Sequence, residues 1–184
     1  FVKISNGMEP PKINTIKRES LDIPDDAFIL CQASRALPEK GWEEAIKIVT
    51  EARTLCQRDI HLLLLGDGPI YEYLLAEQQI PDYIHLLGFR KNPVDYYAMS
   101  NMGFLLSRFR GESFPLSVIE CLFAGRPLIA SDIGEIRNML ILEEGMAGAT
   151  FSLDRWEIPV AEVARLVAEF AVHQEIYEKA QSLA

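Results

Sequence analysis

The sequence predicts an α/β fold with a doubly wound parallel sheet, and three observations predict it. Short apolar runs alternate with helix-period segments along the whole chain. The runs are continuously apolar, as in strands buried on both faces, rather than alternating apolar and polar. The intervening segments run about 10 to 15 residues, which suits right-handed βαβ crossovers.

Each element can be read off in order. A polar opening segment ends in Pro24-Asp25-Asp26. The run Phe28 to Ser34 ("FILCQAS") is followed by the helical pattern "GWEEAIKIVTEARTLC". "HLLLLG" precedes "PIYEYLLAEQQ", "IHLLG" precedes "NPVDYYAMS", and "MGFLLS" precedes "PLSVIECLFAG". "RPLIASD" precedes one helix over "GEIRNMLILEEG", and "GATFS" leads into the helical pattern 158–181. The expected layout is one domain of six strands. Residues 1–26 form an opening linker, 27–160 the core, and 161–184 the C-terminal helices.

With 184 residues, 49% hydrophobic and 24% charged, the chain can bury a full core. A net charge of −9 argues against a nucleic-acid surface, which needs clustered cations. It leaves room for an anionic small ligand held by a few local cations. Cys31, Cys56 and Cys121 lie in apolar stretches without CxxC spacing, as expected of buried, reduced thiols in a cytoplasmic protein. His61, His85 and His173 are scattered and lack metal-ligand spacing, so no metal and no cofactor is expected. No apolar run reaches the ~18 residues of a membrane span, and no signal peptide is visible. The first residue is Phe1 rather than Met, and the expectation is a piece of a longer protein.

In doubly wound sheets ligands bind beyond the carboxyl ends of the strands, which selects five loops. In the first, Arg35 follows the strand and Lys40-Gly41 stands where the next helix opens, two cations suited to phosphate. In the second, Gly66-Asp67-Gly68 is a lone GxG, better read as a structural turn, because Tyr71 stands where a dinucleotide fingerprint needs a small residue. In the third, the amides of Gly88, Phe89 and Arg90 could read a base edge, and Asn92 is the expected helix N-cap. The fifth offers Asp132, Gly134 and Glu135.

The fourth loop, "RFRGESF", leads into a helix that Pro115 suits as first residue. Glu112 then precedes the helix and Glu120 lies inside it, separated by something on the order of 10 Å. The eight-residue spacing carries little information, since Glu43/Glu51 and Glu135/Glu143 share it. Position distinguishes the pair: Glu112 is expected at a strand's carboxyl end and Glu120 early in the following helix, while Glu43 and Glu51 lie along one helix and Glu143 at the far end of its helix.

Glu112-x7-Glu120 within "GESFPLSVIEC", Arg35 with Lys40-Gly41, "ISNGMEP" (4–10), "LLLLGDGP" and "IHLLGFRKN" together resemble the group 1, nucleotide-sugar-dependent glycosyltransferases, a retaining family. The resemblance runs from about residue 4 to 142. It implies the Rossmann-like C-terminal half of a GT-B fold, binding a nucleotide-sugar donor without metal. It also implies an N-terminal acceptor domain of the same protein that lies outside this chain.

Carried over residue by residue, the family's pattern makes Glu112, Arg35 and Lys40 the catalytic group. Arg35 and Lys40 hold the diphosphate, and Glu112 meets the donor sugar. Glu120 takes the ribose diol, and Gly88, Phe89 and Arg90 lie near the base. Ser113, Phe114, Pro115 and Leu116 contribute their helix-start backbone. Gly134 offers a close backbone approach, although Ile133 stands where many members have a second Gly. The acceptor would be a sugar or lipid-linked glycan, in polysaccharide or glycolipid assembly, with the full enzyme cytoplasmic and peripheral at the inner membrane face. The alternatives are a GT-B nucleotide-sugar epimerase, an NAD-binding oxidoreductase domain, and a non-catalytic module.

Overall fold

The computed structural model describes residues 7–77 and 79–184, so the first six residues, including Ile4 to Asn6 of the "ISNGMEP" stretch, lie outside it. The elements are β1 (Phe28–Ala33), α1 (Trp42–Cys56), β2 (Ile60–Leu65), α2 (Pro69–Ala76), β3 (Ile84–Gly88), α3 (Pro93–Met99) and β4 (Met102–Leu105). They continue with α4 (Leu116–Phe123), β5 (Leu128–Ser131), α5 (Ile136–Leu140), β6 (Ile141–Leu142), β7 (Gly145–Met146), β8 (Gly148–Phe151), α6 (Val160–Val172) and α7 (Gln174–Ser182).

Six strands form one parallel sheet in the order β3-β2-β1-β4-β5-β8. The chain moves outward from β1 to β3, then returns to the other side of β1 at β4. The topological switch therefore falls between β1 and β4, where the two connections diverge and leave a crevice.

The continuous apolar runs follow from double burial. Phe28 and Leu30 enter a core beneath α1 and α6, while Ile29 and Cys31 enter a second core beneath α3, α4 and α5. Helix α1 buries Trp42, Ala45, Ile48, Val49 and Ala52, and α6 buries Val163, Ala164, Val167 and Phe170. These are the i, i+3, i+4 stripes of two helices packed on each other. Each fully buried Ile or Leu contributes about 1.5–3 kcal/mol.

Four local expectations are corrected. The helix expected over 134–145 stops at Leu140, and β6 and β7 then pair as an antiparallel hairpin. Gly145 (φ 152°) permits the reversal, and the Ala147 amide reaches the Leu140 carbonyl. Glu143 is thus in a hairpin turn and not at a helix end. The C-terminal helix breaks at His173, whose extended backbone (ψ 91°) lets α7 fold back and set Tyr177 edge-on to Phe28 at 5.8 Å. Pro115 is the N-cap of α4, one residue outside the helix. Asn92 is the N-cap of α3, but its side chain donates to the Lys12 carbonyl (3.2 Å) rather than to the helix amides.

All three cysteines are free, with Cys31 and Cys121 buried and Cys56 only partly so. Burial pushes the Cys31 and Cys121 thiols up. Among the described residues no helix is long and apolar enough to cross a membrane. Nor does any group of three or more His, Cys, Asp and Glu among them have the arrangement to hold a metal ion.

Candidate functional site

At the switch point the β1 and β4 connections build one crevice. After β1, a 3₁₀ turn over Pro38–Lys40 ends at Gly41, whose φ of 68° turns the chain into α1. The turn is anchored from below: the Gln32 side-chain amide, fully buried, donates to the Lys40 carbonyl at 2.7 Å. This aims Lys40 across the crevice, with only 9% of the residue exposed.

Its ammonium pairs with Glu112 and lies 3.4 Å from Ser107 Oγ. The Ser107 hydroxyl also donates to Glu112 Oε2 at 2.9 Å. The Phe109 ring centre is 5.1 Å from Lys40 Nζ, which adds a cation–π contact. Two residues assigned separate tasks from the sequence are therefore each other's partner.

Glu120 is different. It sits in α4, partly buried, and among the described residues no hydrogen bond or ion pair reaches its carboxylate. Burial alone pushes its carboxyl above the ordinary glutamate range. A desolvated carboxylate without a partner is costly unless a ligand supplies donors. Arg35 stands exposed on the opposite wall, with no acidic side chain in ion-pair range among the described residues.

The two glutamates, Arg35 and Lys40 line one hollow of about 520 Å³, together with Ser113, Phe114, Pro115 and Leu116. A narrower hollow of about 220 Å³ continues it, sharing Ser34, Arg35 and Glu120 and walled by Gly66, Asp67, Phe89 and Arg90. Glu120 thus stands where the two compartments meet.

Two predicted residues lie just behind these walls. A Cβ on Gly88 would meet the Tyr71 hydroxyl at 2.9 Å, so this glycine faces the α2 side chain. A Cβ on Gly134 would come 2.2 Å from the Glu112 carbonyl oxygen, and the Glu135 amide donates to the Ser113 carbonyl at 2.8 Å. Gly134 therefore lets β5's loop hold the Glu112–Ser113 backbone from outside the crevice. Asp132 lies farther off, bonded to Arg137 at 3.3 Å. Gly66, as expected of a structural turn, lets its loop press on the Ser34 carbonyl, 1.9 Å from where a Cβ would stand.

A larger hollow of about 680 Å³ lies on the outer side of α4, lined by Met8, Ile119, Leu122, Phe123 and Met139. Its lining has no cationic side chain among the described residues, so the phosphate-suited cations gather at the smaller crevice. At the opposite sheet edge, two of the three histidines that look scattered in sequence meet. His61 Nδ1 and His85 Nε2 are 2.9 Å apart, because neighbouring parallel strands bring distant residues together.

Sequence reasoning missed Ser107 and Arg108 as parts of the site. Ser107 was detectable as the last residue of the fourth apolar run. Arg108 was not, because its partners Glu44 and Glu157 lie on segments far along the chain.

Residues 14–182 match the family model of the group 1 glycosyl transferases. Among curated relatives, an alpha-D-kanosaminyltransferase of Streptomyces kanamyceticus is 26% identical over 86% of this chain and 41% of its own length. An N-acetyl-alpha-D-glucosaminyl L-malate synthase of Bacillus anthracis is 30% identical over 73% of this chain and 34% of its own. The chain thus spans less than half the length of the relatives it matches.

In structure it resembles Anabaena HepE, solved with UDP-glucose: TM-score 0.69, 20% identity, 90% of this chain and 45% of that one. It also resembles the pneumococcal O-GlcNAc transferase GtfA, solved with UDP and GlcNAc: TM-score 0.64, 23% identity, 85% of this chain and 32% of that one. The fold is that of the C-terminal part of GT-B transferases. A family match over nearly the whole chain, on a fold of this type, establishes that the chain belongs to the group 1 glycosyl transferases.

Proposed function

We propose that this chain is the donor-binding half of a retaining glycosyltransferase that takes its sugar from a nucleotide diphosphate. The observation that carries the reading is Glu120, a partly desolvated carboxylate, unpaired among the described residues, at the junction of two compartments. A carboxylate offers two acceptors to a cis-diol, so a ribose seated there satisfies it. The base then enters the narrow compartment between Phe89, Arg90 and Asp67, and the diphosphate lies along Arg35 toward Lys40.

The chemistry follows from that orientation. As the sugar–phosphate bond breaks, negative charge grows on the leaving diphosphate, and two fixed cations stabilise it most where they need not reorganise. Glu112 is engaged by Lys40 and Ser107, so its role is to orient rather than to attack. It would accept hydrogen bonds from donor hydroxyls, while the Ser113 to Leu116 backbone at the start of α4 meets the sugar and distal phosphate. With Glu112 engaged by Lys40 and Ser107, the resemblance to a retaining family supports transfer on one face of the sugar.

In the whole protein a second, acceptor-binding domain closes the crevice. The acceptor is a sugar or lipid-linked glycan, and the setting is polysaccharide or glycolipid assembly in the cytoplasm beside the membrane. The UDP-bound relatives favour a UDP-sugar.

Thermal shift of this chain with UDP-, GDP-, ADP- and dTDP-glucose, beside NAD, tests the reading. A positive shift with one nucleotide sugar and none with NAD is expected. A shift with NAD alone, or with nothing, refutes it.

A further inference from the structure

Segment 107–110 is gripped on both sides. Ser107 and Phe109 face the crevice, contacting Lys40 and Glu112 as described. Arg108 and Arg110 face outward onto a turn at 154–157. Arg108 Nη1 donates to Glu44 of α1 (2.8 Å) and to Glu157 of the turn (2.7 Å), and Nη2 donates to the Pro38 carbonyl (3.1 Å). Its backbone amide donates to the Glu39 carbonyl (2.8 Å), and its carbonyl accepts from the Trp156 indole N–H (2.7 Å). Arg110 lies 4.4 Å over the Trp156 ring.

The turn itself is built at a cost. Arg155 (φ 48°) and Trp156 (φ 70°) are both left-handed, a conformation that residues with a Cβ disfavour. It is held by reciprocal bonds between Asp154 and Glu157 at 2.8 and 2.9 Å. Such strain persists only where surrounding contacts over-determine it, and here the Trp156 and Glu157 side chains add contacts to Arg108 and Arg110.

We propose that Arg108, clamped by the Trp156–Glu157 turn, is a positioning residue for Lys40 and Glu112. It holds the carbonyls of Pro38 and Glu39, the two residues before Lys40, and it follows Ser107, which bonds both members of the pair. One residue thereby ties the diphosphate side of the crevice to the sugar side, its guanidinium through Pro38, Glu44 and Glu157 and its backbone through Glu39 and Trp156. A planar fork with several donors can meet two carboxylates and a carbonyl at once, whereas a lysine ammonium in the same place cannot. Glu120 and the base compartment lie outside this network, so its loss should be felt by the diphosphate and not by the nucleoside. The proposal rests on the nucleotide-sugar reading above.

The test is titration calorimetry of this chain with UDP-glucose and with UMP, for the parent and for Arg108→Met, Arg108→Lys and Trp156→Phe, each with its unfolding midpoint. Arg108→Met should weaken UDP-glucose about tenfold, the scale on which small misplacement of a positioned group acts, and leave UMP within about twofold. Arg108→Lys should not restore it. Trp156→Phe keeps the ring, removes the indole N–H bond, and should weaken UDP-glucose alone by about threefold without shifting the midpoint. Unchanged UDP-glucose affinity in all three overturns the proposal. So does an equal loss for UMP and UDP-glucose with a lowered midpoint, since that marks ordinary support of the fold. A parent chain that binds none of the four nucleotide sugars instead refutes the reading beneath it, and the role of Arg108 falls with it.

Discussion

Replacing Glu120 by Gln should separate ligand binding from stability, because the carboxylate is partly desolvated and has no partner among the described residues. In the free protein it is partly buried and unpaired among the described residues, and burial raises its pKa. A carboxyl whose folded pKa exceeds its unfolded value contributes stability only at low pH, and that contribution is lost as pH rises through the folded pKa. At neutral pH the charged form is therefore a liability, and the isosteric, neutral Gln removes it. The ligand-free variant should melt no lower than the parent.

Binding should move the other way. Charged hydrogen bonds contribute roughly 1.5–3 kcal/mol, and Gln retains one neutral acceptor. UDP affinity should fall about 10- to 150-fold. Parent affinity should also decline on acidification toward the raised carboxyl pKa, while the Gln variant stays flat. Calorimetry across pH 5 to 8, with scanning fluorimetry of the free proteins, reads all three. Glu43→Ala is the control: it shares the eight-residue spacing but lies in α1 away from the crevice. Unchanged affinity in Glu120→Gln, or a lowered ligand-free melting point, refutes the reasoning.

Lys40→Met should destabilise the chain by about 3 kcal/mol in urea unfolding, since it strands Glu112, whose side chain is 13% exposed. Adding Glu112→Leu should recover most of that loss, and full additivity would argue against the pair. Gly134→Ala should lower both the melting point and UDP affinity. A Cβ meets the Glu112 carbonyl, and the φ of 57° costs a further 1 kcal/mol or roughly so. His85 is held neutral by burial and by His61, its pKa lowered to about 4. The unfolded chain then takes up a proton that the folded one does not. Stability is full above pH ~6.5 and falls between there and pH ~4. In His85→Gln that part of the slope should vanish in acid-unfolding curves.

Much of the fold was legible because its signals are local. A strand covered on both faces must be apolar at nearly every position, and Phe28 to Ala33 and Ile60 to Leu65, interrupted only by Gln32 and His61, show this without reference to anything else. The helices between them force parallel pairing. Once strand ends are known, the site loops are known too, and Arg35, Lys40, Glu112 and Glu120 all line the crevice so selected. Where a helix stops was less legible: the hairpin after Leu140 and the break at His173 depend on what each segment packs against.

The sequence by itself determined the element order, the sheet edge that carries the crevice, and its four charged residues. Only the tertiary structure decided their pairing. Lys40 pairs with Glu112, Glu120 has no partner among the described residues, and Arg108 joins Glu44 to Glu157. The physical reason is reach. Hydrophobic period and turn residues act over a few positions, but an ion pair forms between whichever side chains the sheet brings within a few ångströms. That proximity is a property of strand order and loop path, and no spacing along the chain encodes it.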